Sequence, residues 1–196
     1  RPKSLPSQFS LNTDPTILRF LKHFGSNVIL SFANNHSADF GHNAIQDTIN
    51  LLEKTNIDYV GIGRNRQEIL APVIKEVYGV RVAFLAFTDL LPEEYYASDT
   101  RIGVAELTEE NLRVAVESAK QSSDFVIVSL HTAGDIGAPF LVWPDSHQKL
   151  YSRLAIDYGA DVVIGQHPHG LQLVEKYRNK LIFYSLGLFL YDPSVS

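Results

Sequence analysis

Residues 161–169 have the sequence DVVIGQHPH, and this stretch decides the fold class. Its first half is a short run of β-branched residues without polar interruption, which is typical of a strand buried on both faces. Its second half places His167 and His169 directly after that strand. In α/β proteins, the loops that follow parallel strands line one edge of the sheet, where ligands bind. The stretch therefore predicts a buried strand that leads into a functional loop.

Two other apolar runs end in the same way. Residues 28–33 lead to Asn34, Asn35 and His36, and residues 125–130 lead to His131. If the three strands are parallel neighbours, their carboxyl ends meet and four imidazoles come together. A single histidine after a strand is more often a surface or capping residue, so the prediction depends on three such loops occurring in one chain.

The rest of the chain alternates short apolar runs with amphipathic stretches, without repeats or a linker. Near-continuous apolar strands between helices predict a mixed α/β layered sandwich. The predicted helices cover about 43–54, a stretch that starts at the N-cap Thr108, and about 146–158 up to Gly159. The predicted strands include 59–63 and two hairpins, 73–77 with 80–87 and 171–177 with 180–187, while 89–106 is predicted to be a loop.

Composition excludes several classes of protein. The 196 residues are 45% apolar and 20% charged, as in an ordinary globular domain. The net charge of −5 provides no basic surface for nucleic acid. Cysteine is absent, which rules out thiol chemistry, and no apolar run approaches the length of about 20 residues that spans a membrane. Methionine is also absent, so we expect a processed or truncated piece of a longer protein.

The residue types at the predicted edge favour a divalent metal ion. Pro168 biases His167 towards an extended backbone, which would place the side chains of His167 and His169 on the same side. Neutral imidazole is a good ligand for Zn, Mn or Fe, and an asparagine oxygen is a harder donor. A mixed nitrogen and oxygen set fits a hydrolytic metal site better than a structural zinc site.

Other conspicuous residues have simpler interpretations. The remaining histidines lie in or beside helices and are not predicted to belong to a site: His23, His42 and His147. Residues 61–65 contain a lone Gly-x-Gly after a strand, which favours a tight turn over a phosphate-binding loop. Trp143, with Phe140 and Leu141 beside it, is compatible with a substrate platform or a folded-back lid, and the sequence leaves both open.

Several of these stretches together resemble the bacterial capsule-synthesis proteins of the CapA/PgsA type, which are associated with poly-γ-glutamate production. The resemblance covers roughly residues 15–192, with the motifs in the expected order. The motifs occupy residues 31–36, 39–41, 61–65, 130–131, 159–165, 167–169 and 184–187, with Phe189 at the end.

That family is similar to the calcineurin-like metallophosphoesterases. The resemblance implies an αββα sandwich with a two-metal site at one edge, and attack on phosphorus by a metal-activated hydroxide. It implies that Asn35, His131, His167 and His169 are metal ligands and that His36 is the general acid. It also implies that the first strands, with further ligands, are missing from this single, incomplete domain of residues 1–196.

Three positions depart from the family's pattern. Residues 131–135 read His-Thr-Ala-Gly-Asp where the family has His-Trp-Gly-x-Glu, although Asp135 would be able to substitute for the glutamate. Leu188 replaces an asparagine, and Gln166 stands where histidine is frequent.

Two functions remain open from the sequence. The first is capsule polymer biosynthesis by a metal-dependent hydrolase that acts on a phosphoester or on the γ-glutamyl polymer, with Mn, Zn or Fe as cofactor. The alternative is a non-catalytic accessory or scaffold protein of capsule synthesis or export. The resemblance implies that the full-length protein acts at the extracellular face of the membrane. It also implies an anionic capsule polymer or a phosphoester as the substrate, and membrane synthase subunits as candidate protein partners. The chain itself is expected to be soluble, and no nucleic acid partner is expected.

Overall fold

The structure is a computed structural model that describes residues 10–25, 28–132 and 142–188. Its elements follow the apolar runs and amphipathic stretches of the sequence. The described strands are β1 (Ile29–Ser31), β2 (Asp58–Val60), β3 (Ile62–Gly63), β4 (Val73–Val77), β5 (Val80–Thr88), β6 (Gly103–Val104), β7 (Phe125–His131), β8 (Val162–Gln166), β9 (Val174–Tyr177) and β10 (Lys180–Phe183). The described helices are α1 (Ile17–Leu21), α2 (Gly41–Thr55), α3 (Arg66–Leu70), α4 (Glu109–Ser122) and α5 (Ser146–Tyr158), with 3-10 turns at Lys22–Phe24 and Glu93–Tyr95.

The main sheet is mixed and has the strand order β4-β5-β7-β8-β10-β9. The four inner strands, β5, β7, β8 and β10, are parallel to one another, and each edge strand joins the sheet through an antiparallel hairpin. Both hairpins close with two residues of positive φ, Tyr78 and Gly79 in the first and Arg178 and Asn179 in the second. Paired positive φ values match the right-handed twist of the strands. The predicted mixed sheet and both predicted hairpins are confirmed.

Two apolar clusters, one on each face of the main sheet, define the layers. On one face, Leu112 of α4 packs with Val128 of β7, and α5 belongs to the same cluster. On the other face, Ile49 of α2 and Val60 of β2 pack with Ala86 of β5. Two small sheets, β1-β2 and β3-β6, lie between the main sheet and α2. The order of helix, sheet, sheet and helix confirms the expected αββα sandwich.

The condition that the three histidine-bearing strands are parallel neighbours is met by two of them and not by the third. β7 and β8 are parallel neighbours in the main sheet. β1 instead pairs in parallel with β2, where Ile29 stands opposite Asp58. Its three residues are only partly buried, and its carboxyl end approaches the main sheet from the second layer.

The predicted strand over 59–63 is two strands in two different sheets. The strand is interrupted at Gly61, which has a φ of +90°. A Cβ atom at this position would lie 2.5 Å from the backbone nitrogen of Ala33. Only glycine permits both the backbone conformation and this close approach, so Gly61 brings the segment after β1 against the turn between β2 and β3. The stretch that starts at Gly61 is therefore a tight turn that continues into β3.

The helix ends agree with the sequence signals. The hydroxyl of Thr108 accepts a hydrogen bond from the backbone nitrogen of Asn111, and the Asp145 carboxylate accepts one from Gln148 in a capping box. The predicted loop over 89–106 is only partly correct, since it contains the turn Glu93–Tyr95 and the strand β6. Among the described helices, none is both long and apolar enough to cross a membrane.

Candidate metal centre

The candidate site lies where the parallel strands β7 and β8 end. His131, the last residue of β7, stands opposite Gln166 of β8. Leu130 is buried in the cluster under α4 and α5. Because side chains alternate along a strand, His131 points to the opposite face. The loop after β1 lies on that face, and its Asn35 side chain reaches His131.

One donor atom from the end of β7 and two from the loops after β1 and β8 come together at this point. Oδ1 of Asn35 lies 2.9 Å from Nε2 of His131, although the two residues are 96 positions apart in the chain. Nδ1 of His167 lies 3.3 Å from the same nitrogen. The two imidazole rings meet edge to face, with their centroids 5.1 Å apart. The structure thus brings together three of the five predicted site residues.

His131 is held in its neutral form. Burial is the main reason that its pKa falls to about 3, because a charged imidazole would lose its hydration. Its neighbours lower the pKa further through their charges: His167, His36 and His169. A metal ligand must offer a lone pair, so an imidazole that stays neutral at pH 7 is ready to bind.

The donor atoms of Asn35, His131 and His167 are arranged better for binding one shared cation than for hydrogen bonding to one another. A single proton on Nε2 of His131 makes one well-aligned hydrogen bond, yet that nitrogen faces both Asn35 and His167. Nδ1 of His131 is buried and has no hydrogen-bond partner in the described part of the chain. Donor atoms bound to one ion at about 2.1 Å stand about 3.0 Å apart at right angles and about 3.4 Å apart at tetrahedral angles. Of the observed separations, 3.3 Å lies between these values and 2.9 Å lies just below the lower one.

His36 is held by a carboxylate that sequence reasoning did not single out. Nδ1 of His36 donates a hydrogen bond of 2.8 Å to Oδ2 of Asp39. The Asp39 side chain is 4% exposed and the His36 side chain is 32% exposed. The carboxylate therefore fixes the orientation of the ring and leaves Nε2 facing away from Asp39. The spacing His-x-x-Asp within one turn was the signal that could have revealed this pair.

The His-Pro-His element does not have the expected backbone. His167 has a φ of +97°, so the prediction of an extended residue before Pro168 is wrong. Proline disfavours the right-handed helical region for the preceding residue and favours extended backbone, and His167 adopts neither conformation. The carbonyl of Pro168 is fixed by the Ser185 hydroxyl, which donates a hydrogen bond of 2.8 Å to it. Positive φ in a non-glycine residue costs free energy and is typical of functional loops.

The fourth predicted ligand, His169, is more exposed than the other three. Its effect on the pKa of His131 shows that it lies near the group. Its carbonyl accepts a hydrogen bond from the nitrogen of Leu188, so the position occupied by leucine borders the same loop. The leucine side chain offers no donor atom there.

The other histidines contact residues outside this group. His23 and His42 are close to backbone carbonyls, the former to that of Arg19 at 3.1 Å and the latter to that of Glu94 at 2.9 Å. His147, in the first turn of α5, pairs through Nε2 with the carboxylate of Asp89.

Some predicted residues lie outside the described ranges: Asp135, Phe140, Leu141 and Phe189. Trp143 is described and is 67% exposed. Within the described ranges, no group of three or more His, Cys, Asp or Glu side chains is arranged to hold a metal ion. The group of Asn35, His131 and His167 contains only two side chains of those types, since its third donor is an amide.

A cavity of about 710 Å³ lies between β2, α3 and β4, away from the histidines. Its charged side chains pair with one another. Arg64 donates two hydrogen bonds to Glu53, at 2.7 and 2.8 Å, and Lys75 pairs with Asp58. This internal pairing makes it a weaker candidate for a charged ligand than the histidine cluster.

Solved structures define the class of fold. A sulfate thiohydrolase, SoxB, of Thermus thermophilus superposes with a TM-score of 0.56 and 15% sequence identity, over 88% of this chain and 30% of that protein. A 5'-nucleotidase precursor from the same species superposes with a TM-score of 0.51 and 18% identity, over 85% of this chain and 35% of that protein. The chain thus shares the α/β sandwich fold of these two proteins.

Sequence comparison narrows the class to a family. The model of the family described as "Bacterial capsule synthesis protein PGA_cap" matches residues 1–193. The chain therefore belongs to the bacterial capsule synthesis protein family, as its motifs predicted.

Three relatives illustrate the similarity. The "Capsule biosynthesis protein CapA" of Bacillus anthracis is 34% identical over 84% of this chain and 40% of its own length. The "PGA biosynthesis protein CapA" of Bacillus subtilis is 32% identical over 97% of this chain and 49% of its own length. A "Probable polyglutamine synthesis accessory protein" of Mycobacterium tuberculosis is 28% identical over 81% of this chain and 44% of its own length. The chain thus spans less than half the length of each of these relatives.

Proposed function

We propose that this chain carries the metal site of a capsule polymer biosynthesis protein that acts as a metal-dependent hydrolase. Membership of the capsule synthesis family and the names of the relatives support the biological role. The observation that supports the metal-dependent hydrolase is the close approach of the side chains of Asn35 and His167 to that of His131. The substrate is a phosphoester or the poly-γ-glutamate polymer itself.

The proposed ligands are the amide oxygen of Asn35 and the imidazoles of His131 and His167, with His169 as a fourth. This mixed nitrogen and oxygen set suits Mn, Zn or Fe. A divalent ion bound by these residues would polarise an oxygen of the substrate and lower the pKa of a water molecule. The protein prepares for binding by keeping His131 neutral through burial.

His36 is proposed as the general acid. Asp39 holds the proton on Nδ1 of His36 and so fixes the ring. General-acid action requires the imidazolium form of His36, in which Nε2 carries a second proton. Nε2 would give that proton to the departing oxygen of the substrate, which leaves the neutral Nδ1–H form held by Asp39. The position of His36, one residue after the proposed ligand Asn35, would place this proton next to the reacting bond.

The proposed partners follow from the relatives rather than from contacts of this chain. We propose an anionic capsule polymer or a phosphoester as substrate, membrane synthase subunits as protein partners, and the cell surface as the location. Bound cations would offset the negative charge of the chain towards an anionic polymer.

A second candidate function is a non-catalytic accessory protein of capsule synthesis or export. Two observations favour it. One relative is named an accessory protein of polyglutamine synthesis. In addition, Leu188 lies beside the His169 loop and contributes no donor atom.

Metal titration with matched variants tests the proposal. We expect the 196-residue chain to bind Mn²⁺ or Zn²⁺ in calorimetry at neutral pH, and His131→Ala or His167→Ala to weaken the affinity at least tenfold, because each removes a ligand. His42→Ala is the control, since His42 contacts the Glu94 carbonyl and lies outside the group. Equal affinity in all three variants would overturn the proposed site.

Hydrolysis of bis-p-nitrophenyl phosphate then separates the two functions. For the enzyme, we expect metal-dependent turnover that is lost in His36→Ala while the metal affinity stays the same. Metal binding without turnover of a phosphoester or of the polymer would favour the accessory function.

A further inference from the structure

A second cavity lies beside His36. Its volume is about 550 Å³, within the usual range of small-molecule sites. Three parts of the chain enclose it: residues 11–18, the loop that follows β1, and one face of α2. The walls thus come from segments whose packing also positions Asn35 and His36.

The lining is mostly apolar, and its charged groups are acidic. Asp39 and Asp47 line the cavity, and among the residues whose side chains the structure describes, no lysine or arginine does so. Leu11 and Phe40 are about half exposed, at 50% and 54%, although they border a concave surface. Apolar side chains line most of the wall: Leu11, Ile17, Leu18, Phe32, Phe40 and Leu51.

One carboxylate oxygen links the cavity wall to the histidine. Oδ2 of Asp39 accepts a hydrogen bond of 2.8 Å from the backbone nitrogen of Leu11 and another of 2.8 Å from Nδ1 of His36. The Asp39 side chain is nearly inaccessible to solvent. His36 itself lines the cavity, so a group bound there would lie beside its ring.

Charge decides which groups this cavity accepts. Asp39 is paired with His36, so Asp47 is the carboxylate that repels phosphate, sulfonate and carboxylate groups. Asp47 is exposed, so salt should weaken this repulsion. Covering exposed apolar side chains is favourable by about 25 cal/mol for each Å² removed from water. An uncharged apolar group gains the free energy of covering these side chains and is not repelled by the carboxylate.

We propose that this cavity binds an uncharged apolar group of the substrate, and that the anionic part of the substrate lies outside it. The catalytic meaning of this subsite, beside the general acid, rests on the proposed function. The binding itself does not, because neither the cavity nor its charges require a metal ion.

Two dyes with the same aromatic framework test the proposal. Phenylnaphthylamine is uncharged, and anilinonaphthalene sulfonate adds one negative charge. In fluorescence titrations of the 196-residue chain with EDTA present, we expect the uncharged dye to bind at least tenfold more tightly. Equal affinities, or binding of neither dye, would overturn the proposal, including the case in which another part of the chain fills the cavity.

Variants locate the bound dye. Ala44 lines the cavity from α2, so Ala44→Trp should fill it and weaken binding of the uncharged dye at least tenfold. Phe40→Ser should weaken binding severalfold by removing apolar wall, and it keeps the test valid if Ala44→Trp does not fold. Unchanged affinity in a folded variant would show that the dye binds elsewhere and would overturn the proposal.

A charge variant tests the selectivity. Asp47→Asn should tighten binding of the sulfonate dye severalfold and leave the uncharged dye unchanged. Asp99→Asn makes the same change at an exposed residue away from the cavity and should affect neither dye. If both variants act alike, local charge does not set the selectivity and the proposal fails.

These outcomes are independent of the metal titration. Dye binding without metal binding would leave the cavity assignment in place and remove the hydrolase. Metal binding without dye binding would leave the proposed metal site in place and remove the cavity assignment.

Discussion

Asp39 holds His36 through a hydrogen bond of 2.8 Å between Oδ2 and the ring nitrogen Nδ1. A carboxylate only accepts hydrogen bonds, so this contact places the proton of a neutral His36 on Nδ1. The same oxygen binds the backbone nitrogen of Leu11. One buried side chain thus determines both the tautomer of the proposed general acid and the position of a cavity wall.

We predict that Asp39→Ala changes the tautomer of His36. Without the carboxylate, the Nε2–H form should gain population, because that form predominates slightly in free imidazole side chains. Nitrogen-15 NMR of the ring distinguishes the two forms directly. Asp39→Asn is the control, since its amide oxygen still accepts the proton on Nδ1 and should preserve the tautomer. A His36 spectrum that is the same in all three proteins would contradict the structure.

Ser185 provides a prediction about the His167 loop. Its buried hydroxyl donates to the Pro168 carbonyl and accepts from the nitrogen of Gly187 at 3.1 Å. Ser185→Ala leaves both groups without this partner and should lower the free energy of unfolding by about 1–3 kcal/mol. Urea denaturation measures the change.

Ser129 is the matched control for that substitution. Its hydroxyl is buried but has no hydrogen-bond partner in the part of the chain that the structure describes. Ser129→Ala removes an unsatisfied group, so we expect a change of less than about 0.5 kcal/mol or a small gain. Equal losses in the two variants would mean that the contact between Ser185 and Pro168 contributes nothing specific.

Local patterns predicted most of the fold. The helix ends at Thr108 and Gly159 and the turn at Tyr78 and Gly79 depend on neighbouring residues, and each was predicted correctly. The split of residues 59–63 into β2 and β3 was not predicted. Its cause is the approach of Ala33 to Gly61, a contact between residues 28 positions apart that local reasoning does not include.

The candidate site divides in the same way. The sequence identified Asn35, His131 and His167 as residues of interest, but it did not determine that β1 pairs with β2 in a separate sheet. The contact between Asn35 and His131 depends on the packing of two layers, which periodicity does not define. The positive φ of His167 was also missed, because the bias of a following proline towards extended backbone is a local preference that this loop does not follow.

Asp161 provides a prediction about pH. Its side chain is 5% exposed and receives hydrogen bonds from Lys120, Lys180 and the nitrogen of Val126. Burial alone would raise the pKa of Asp161, but the bonds from Lys180 and Lys120 outweigh burial and hold the pKa below its ordinary value. A folded-state pKa below the unfolded value of about 3.9 means that the ionised carboxylate stabilises the fold above about pH 4. That contribution is lost as the pH falls through the folded-state pKa.

We therefore expect Asp161→Asn to lower the free energy of unfolding by about 1–3 kcal/mol at pH 7. The difference from the unmodified chain should shrink below about pH 4. Glu117→Gln breaks an exposed pair with Arg113 and should cost less than about 0.5 kcal/mol. Urea denaturation at several pH values checks both variants, and a difference that stays constant from pH 7 to pH 3 would contradict the assignment.

Gly61 and Gly79 separate the cost of backbone conformation from the cost of close contact. Both have positive φ, +90° and +81°, but a Cβ atom at Gly79 would meet nothing within 4 Å, whereas at Gly61 it would lie 2.5 Å from the nitrogen of Ala33. Gly79→Ala should therefore cost about 1 kcal/mol for its backbone alone. Gly61→Ala should cost about 1–3 kcal/mol more, because Ala33 must move. It should also weaken Mn²⁺ binding, since Ala33 is followed two residues later by Asn35, whereas Gly79→Ala should leave metal binding unchanged. Equal stability losses in urea denaturation would show that the segment after β1 yields easily and does not hold Asn35 in place.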